Sequence, residues 1–149
     1  MNHLAVWTTL GVIFLTGGPN LTEAVKKDKA ALQGAWRVVG SESNGEKVPA
    51  DDLKDLFLLF GGDSIFVRES GKTSEKFSFL LDPTKKPKQI DLAFTDGPNK
   101  GRIDQAIYRL DGDKLFICIQ QNKDSPRPRD FVTAPKSHLS LVILQRSKE

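Results

Sequence analysis

The stretch DQAIYRLDGDKLFICIQ, residues 104–120, decides how the rest of this chain is read. Tyr108 and Leu110 flank Arg109 ahead of Asp111-Gly112-Asp113, and Leu115, Ile117 and Ile119 alternate behind it. A period of two on both sides of an Asp-Gly turn is the pattern of an antiparallel hairpin with one buried face.

Working outward, the same period recurs. KQIDLAFTDGP (88–98) puts Ile90, Leu92 and Phe94 on one face, and EKFSFLLDP (75–83) does so with Phe77, Phe79 and Leu81. LFLLF (56–60) stops at Gly61-Gly62-Asp63, and SIFVRES (64–70) stops at Gly71-Lys72, so both read as strands closed by tight turns. At the two ends, LQGAWRVV (32–39) aligns Gly34, Trp36 and Val38 before the turn signal Asn44-Gly45, and LSLVILQR (139–146) follows a polar, proline-rich loop, QNKDSPRPRDFVTAPKSH (121–138). The only helical stretch expected is DDLKDL, Asp51 to Leu56, whose early acids suit a helix dipole. Eight short strands predict an all-β fold: an antiparallel up-and-down barrel, which leaves no exposed edge.

That topology assigns residues to ends. In an up-and-down barrel successive loops alternate, so Trp36, early in the first strand, and Arg146, late in the last, meet at one closed end as a cation–π pair. The loops at 44–55, 71, 96–102 and 121–138 gather at the other end, which becomes the mouth with the DDLKDL turn as a lid. Lys100, Arg102, Lys123, Arg127, Arg129 and Lys136 form a basic rim there, above apolar walls from Phe77, Phe79, Phe94 and Tyr108. This set suits a small apolar or amphipathic ligand with an anionic head, such as a fatty acid. The alternative is a barrel filled by its own aromatic bulk, acting as an interaction or structural module of the cell envelope.

A Gly-x-Trp on the first strand and a basic residue after the last resemble the lipocalin signature, carried here by Gly34, Trp36 and Arg146. Beyond it, LQGAWRVV, NGEKVP, DPTKKPKQIDLAFTDGPNKG, IYRLDGDKLFIC and RPRDF together resemble a lipocalin-like domain family abundant in planctomycetes and without an assigned function. The resemblance spans Leu32 to Arg146. It implies the barrel fold and an exported location, and it supplies no catalytic residues. Phe116 departs from the family pattern, which has a polar outward residue there, and this leaves a local apolar patch on the surface.

Composition narrows the function classes. The 149 residues are 38% hydrophobic and 28% charged, the mix of one globular domain. A net charge of +3 is too small and too dispersed for a nucleic-acid footprint. No Gly-x-Ser-x-Gly elbow accompanies His138, no His-Glu-x-x-His or paired cysteines form a metal site, and Asp111 and Asp113 are turn residues around Gly112, so neither catalysis, cofactor nor metal is expected. Cys118, the single cysteine, reads as a packed apolar residue.

The opening block LAVWTTLGVIFLTGG, Leu4 to Gly18, carries no charge and has the length of a signal-peptide core, too short to span a bilayer comfortably. Residues 1–24 are expected to be a leader cut between 18 and 24, and residues 25–149 a barrel domain without a membrane span, delivered to the periplasm, envelope or exterior. N-terminal sequencing of protein recovered from the producing cells is expected to begin between Pro19 and Val25. Recovery of intact Met1 from the cytoplasm would overturn that expectation.

Overall fold

A computed structural model of the chain describes residues 21–148. The uncharged block and residues 18–20 of the expected cleavage interval lie outside the described residues. The described chain opens with one α-helix, α1 (Leu21–Leu32), and continues as β1 (Gly34–Ser43), a two-residue β2 (Glu46–Lys47), a 3₁₀ turn (Ala50–Leu53), β3 (Leu56–Gly61) and β4 (Ser64–Glu69). The remaining strands are β5 (Lys72–Asp82), β6 (Lys88–Phe94), β7 (Ile103–Asp111), β8 (Lys114–Gln120) and β9 (Leu139–Arg146).

Each long strand pairs antiparallel with its neighbours, and β9 returns to β1. The result is a closed eight-stranded antiparallel barrel of lipocalin-like architecture, with β2 a short appendage on β1. The alternation seen in sequence selects the inner face. Phe60, Ile65, Phe79, Ile90, Leu115 and Leu144 are among the buried residues of one continuous core. Two bulges adjust it. One between Val38 and Gly40 of β1 makes Val38 and Ser41, three apart, both face inward, and one after Val67 of β4 sets Val67 opposite Glu75.

α1 starts ahead of the boundary expected at residue 25 and was not foreseen. Ala24, Lys26, Lys27, Lys29, Ala30, Ala31 and Leu32 are good helix formers. Val25, Asp28 and Leu32 share one face at i, i+3 and i+7, and that face meets the barrel core. The charged run VKKDK hides this stripe, because the inward group at its centre is a carboxylate. The expected lid, DDLKDL, is a single 3₁₀ turn whose Leu53 packs against β1, whereas the helix that covers a barrel end is α1.

α1 covers the closed end. Its last carbonyls lack partners within the helix, and the barrel provides them. Trp36 Nε1 donates to Leu32 O (2.8 Å), while Arg146 Nη2 donates to Ala31 O (2.5 Å) and Nη1 to Gln33 O (3.1 Å). Trp36 and Arg146 are directly opposed in the β1–β9 register, and the guanidinium carbon stands 4.2 Å from the Trp36 ring centroid. Gly34, between helix and strand, has φ +110°, a backbone that side chains adopt only with strain, which explains the glycine of Gly-x-Trp. Further along α1, Asp28 is buried and accepts from Tyr108 Oη (2.7 Å) and Lys88 Nζ (2.8 Å), and Lys29 pairs with Asp63 of the β3–β4 turn.

Removing the Trp36 ring leaves a cavity and frees a helix carbonyl, so Trp36→Ala is expected to cost about 3–5 kcal/mol in chemical denaturation. Arg146→Ala is expected to cost about 1–3 kcal/mol, through the lost stacking and the two lost charge-assisted hydrogen bonds. Neutrality of Arg146→Ala would show that the helix end is held by Trp36 alone.

Tyr108, the chain's one tyrosine, gives a second check. Burial first, and then its hydrogen bond to the Asp28 carboxylate, raise the Tyr108 phenol far above its ordinary value. In the unfolded chain it would ionise at pH ~10. Below that pH both states hold the proton and stability is unaffected; above it only the unfolded state releases the proton, so stability falls as pH rises. In an alkaline titration the phenolate absorbance is expected to rise together with loss of the barrel's circular dichroism. Ionisation at pH ~10 with the barrel intact would contradict the buried Asp28–Tyr108 contact.

Candidate ligand-binding cavity

The inner wall divides into two halves. Toward α1 it is solid: Trp36 and Tyr108 are at most 1% exposed, and Phe60 and Phe79 meet edge to face at 5.6 Å. Toward the mouth the side chains become shorter and a cavity of about 190 Å³ opens among them. Leu56, Leu58, Val67, Phe77, Ile119 and Val142 form much of its wall, with Val38, Ile65, Leu92 and Ile117 at its floor side. Ser41 and Glu75 are its polar residues. A larger groove, about 610 Å³, lies on the outer wall over Ala35, Phe57, Leu59 and Arg68, but it is open to solvent. The inner cavity has apolar walls from seven strands, which makes it the candidate site.

Of the expected wall, Phe77 lines the cavity and its ring meets Phe94 edge to face at 4.5 Å. Phe79 is buried deeper, against Phe60, outside the cavity lining. Tyr108 belongs to the opposite end, on Asp28, because β7 enters from the mouth and reaches residue 108 only near the closed end.

The expected basic rim separates. Arg102 makes a two-pronged salt bridge to Asp104, with Nε and Nη2 each 2.9 Å from a carboxylate oxygen, and its guanidinium lies 4.6 Å over the Phe94 ring. That carboxylate raises the Arg102 pKa, with a smaller contribution from Glu75. Arg127 is on the outer surface of the barrel, donating to Ile90 O (3.3 Å), Ala106 O (2.8 Å) and Asp91 Oδ1 (2.6 Å). Lys100 and Arg129 are exposed on their loops and are outside the lining of the inner cavity. The long loop 121–138 explains Arg127. Its first part, through Phe131, folds back over β6, β7 and β8, whereas Thr133 and His138 bond to the turn at Asn44–Gly45 at the mouth end, and Ile107 and Cys118, outward by alternation, are at most 1% exposed. Burial, with a contribution from Asp130, pushes the Cys118 thiol up to about 11, which keeps it protonated and unreactive at neutral pH.

The lining residues that sequence reading missed were within reach. Glu75 lies two positions before Phe77 on the same strand face, and Leu56 and Leu58 lie on the face of Phe60. What the sequence lacked was the height along the barrel at which wall becomes cavity. Among the described residues, no group of His, Cys, Asp and Glu could hold a metal ion, and no helix is long and apolar enough to cross a membrane. Comparison with family models, with curated proteins and with solved structures finds no match to this chain.

Proposed function

We propose that the chain is a non-catalytic binding barrel that takes a small apolar molecule, or the apolar end of a larger one, into its mouth cavity. The single observation that carries the reading is the apolar cavity of about 190 Å³ in an otherwise solid barrel. It compares with apolar cavities of roughly 150 Å³ that stay dry and bind benzene, and it is smaller than the roughly 300–1,000 Å³ that drug-sized ligands occupy. A single ring or a short branched chain fits; the full chain of a long fatty acid does not. The charged residue in the lining is Glu75, and Arg102 of the expected rim is already committed to Asp104, so a neutral head is favoured over an anionic one. The uncharged block at Leu4–Gly18 supports an exported location, in the periplasm, envelope or exterior. The solid lower half, filled by Trp36, Phe60, Phe79 and Tyr108, favours a second reading: an envelope interaction module whose barrel is only a scaffold.

Benzyl alcohol, benzylamine and benzoate have the same ring and differ in head charge, so they separate these readings. In calorimetry and thermal unfolding, benzyl alcohol is expected to bind saturably and raise the midpoint, with benzoate weaker. Val142→Phe, which fills the cavity with a ring, is expected to abolish the effect while leaving the fold intact. Absence of saturable binding for all three would remove the cavity reading in favour of the scaffold module, and preference for benzoate would restore the basic rim.

A further inference from the structure

Arg109 is the outward residue of β7 opposite Phe116, and its guanidinium is sandwiched between two rings. Its carbon is 4.4 Å from the Phe116 centroid and 5.0 Å from that of Phe131, which comes from the loop 121–138. Among the described residues the Arg109 side chain has no hydrogen bond or ion pair. This separates it from Arg102, Arg127 and Arg146, each of which has an acidic partner. A guanidinium packed against two rings has less rotamer freedom to lose on binding, and Arg109 is still exposed to solvent.

The same arginine borders a groove of about 270 Å³ beside the β5–β6 loop. Lys85, Lys86 and Lys88 line it with Arg109, and no carboxylate is among its lining residues. Pro83 and Pro87 bracket the lysine pair and restrict the backbone that carries it. Nearby acids are engaged elsewhere: Asp82 accepts from the Thr84 backbone and hydroxyl, and Asp28 holds Lys88 and Tyr108. Asp82 also attracts Lys85, so of the groove's cations Lys86 and Arg109 are the ones without an acid partner, and Arg109 is packed between two rings.

We propose that this groove is a binding site for a phosphate group carried on a small molecule or lipid headgroup, with Arg109 donating two parallel hydrogen bonds to it and Lys85 and Lys86 supplying charge. The planar fork matches two phosphate oxygens, and its aromatic sandwich removes part of the entropy that ordering an arginine normally costs. Leu110 and Phe131 give the groove an apolar shoulder for the group that bears the phosphate. The site is on the outer wall at the closed end, away from the mouth cavity, so it stands whether or not that cavity takes a ligand. It also gives Phe116 a role: the outward ring is one face of the arginine clamp.

The probes are pyrophosphate in calorimetry and vesicles of phosphatidylcholine with and without phosphatidic acid in a flotation assay. Wild type is expected to bind pyrophosphate saturably, or the acidic vesicles if the phosphate must be on a lipid, with affinity falling as salt rises. Arg109→Lys keeps the charge but loses the fork and the stacking, and is expected to weaken binding about tenfold at an unchanged unfolding midpoint. Lys85→Ala together with Lys86→Ala is expected to weaken it as well, whereas Arg129→Ala and Val142→Phe leave it intact. Absence of binding to both probes, or equal weakening by Arg129→Ala, would overturn the proposal, because the second result reduces the effect to net charge.

Discussion

The stacked pair of Trp36 and Arg146 holds this molecule together. The two residues face each other across the β1–β9 seam, so their contact exists only when the barrel is closed and the last strand is in register. The same two side chains take three carbonyls at the end of α1. Barrel closure and helix docking are thus one event. Neither a slipped β9 nor an undocked helix satisfies the buried indole N–H and the free helix carbonyls together, and leaving such groups unpaired in the interior is costly.

That end of the barrel is therefore solid, and the space in the molecule lies at the other. Large rings occupy the half near α1, and the wall shortens to leucines and valines at the mouth, where the cavity begins. The electrostatics divide along the same axis. At the mouth Arg102 is neutralised by Asp104, and the charge left in the lining is Glu75. On the outer wall near the closed end, Lys86 and Arg109 remain without acid partners in a groove whose lining holds no carboxylate, and Lys85 beside them is attracted by Asp82.

The loop 121–138 connects these features. By folding over β6–β8 it buries Ile107 and Cys118, ties Arg127 to Asp91, and brings Phe131 against Arg109. It also joins the β1 end, where the Thr133 hydroxyl donates to Glu42 and accepts from the Gly45 amide. A segment that reads in sequence as a polar, proline-rich loop of the mouth is in part a second layer of packing outside the barrel.

Strand identity, the inner face and the order of neighbours were legible in the sequence, because period two, turn residues and the absence of long apolar helices are local signals. The meeting of Trp36 with Arg146 followed from topology alone, since in an up-and-down barrel the first and last strands must adjoin. Helix α1 was not legible: its inward face presents Asp28, and only the distant Tyr108 and Lys88 make a buried carboxylate acceptable there. The cavity lining was legible as a face but not as a height, since the depth at which each inward residue sits depends on strand stagger and on the bulges at Val38 and Val67. The fate of the basic residues was decided wholly by tertiary structure. Whether an arginine is a free charge or half of a salt bridge depends on which carboxylate the fold brings within three ångströms, and for Arg127 and Asp91 that neighbour is 36 residues away.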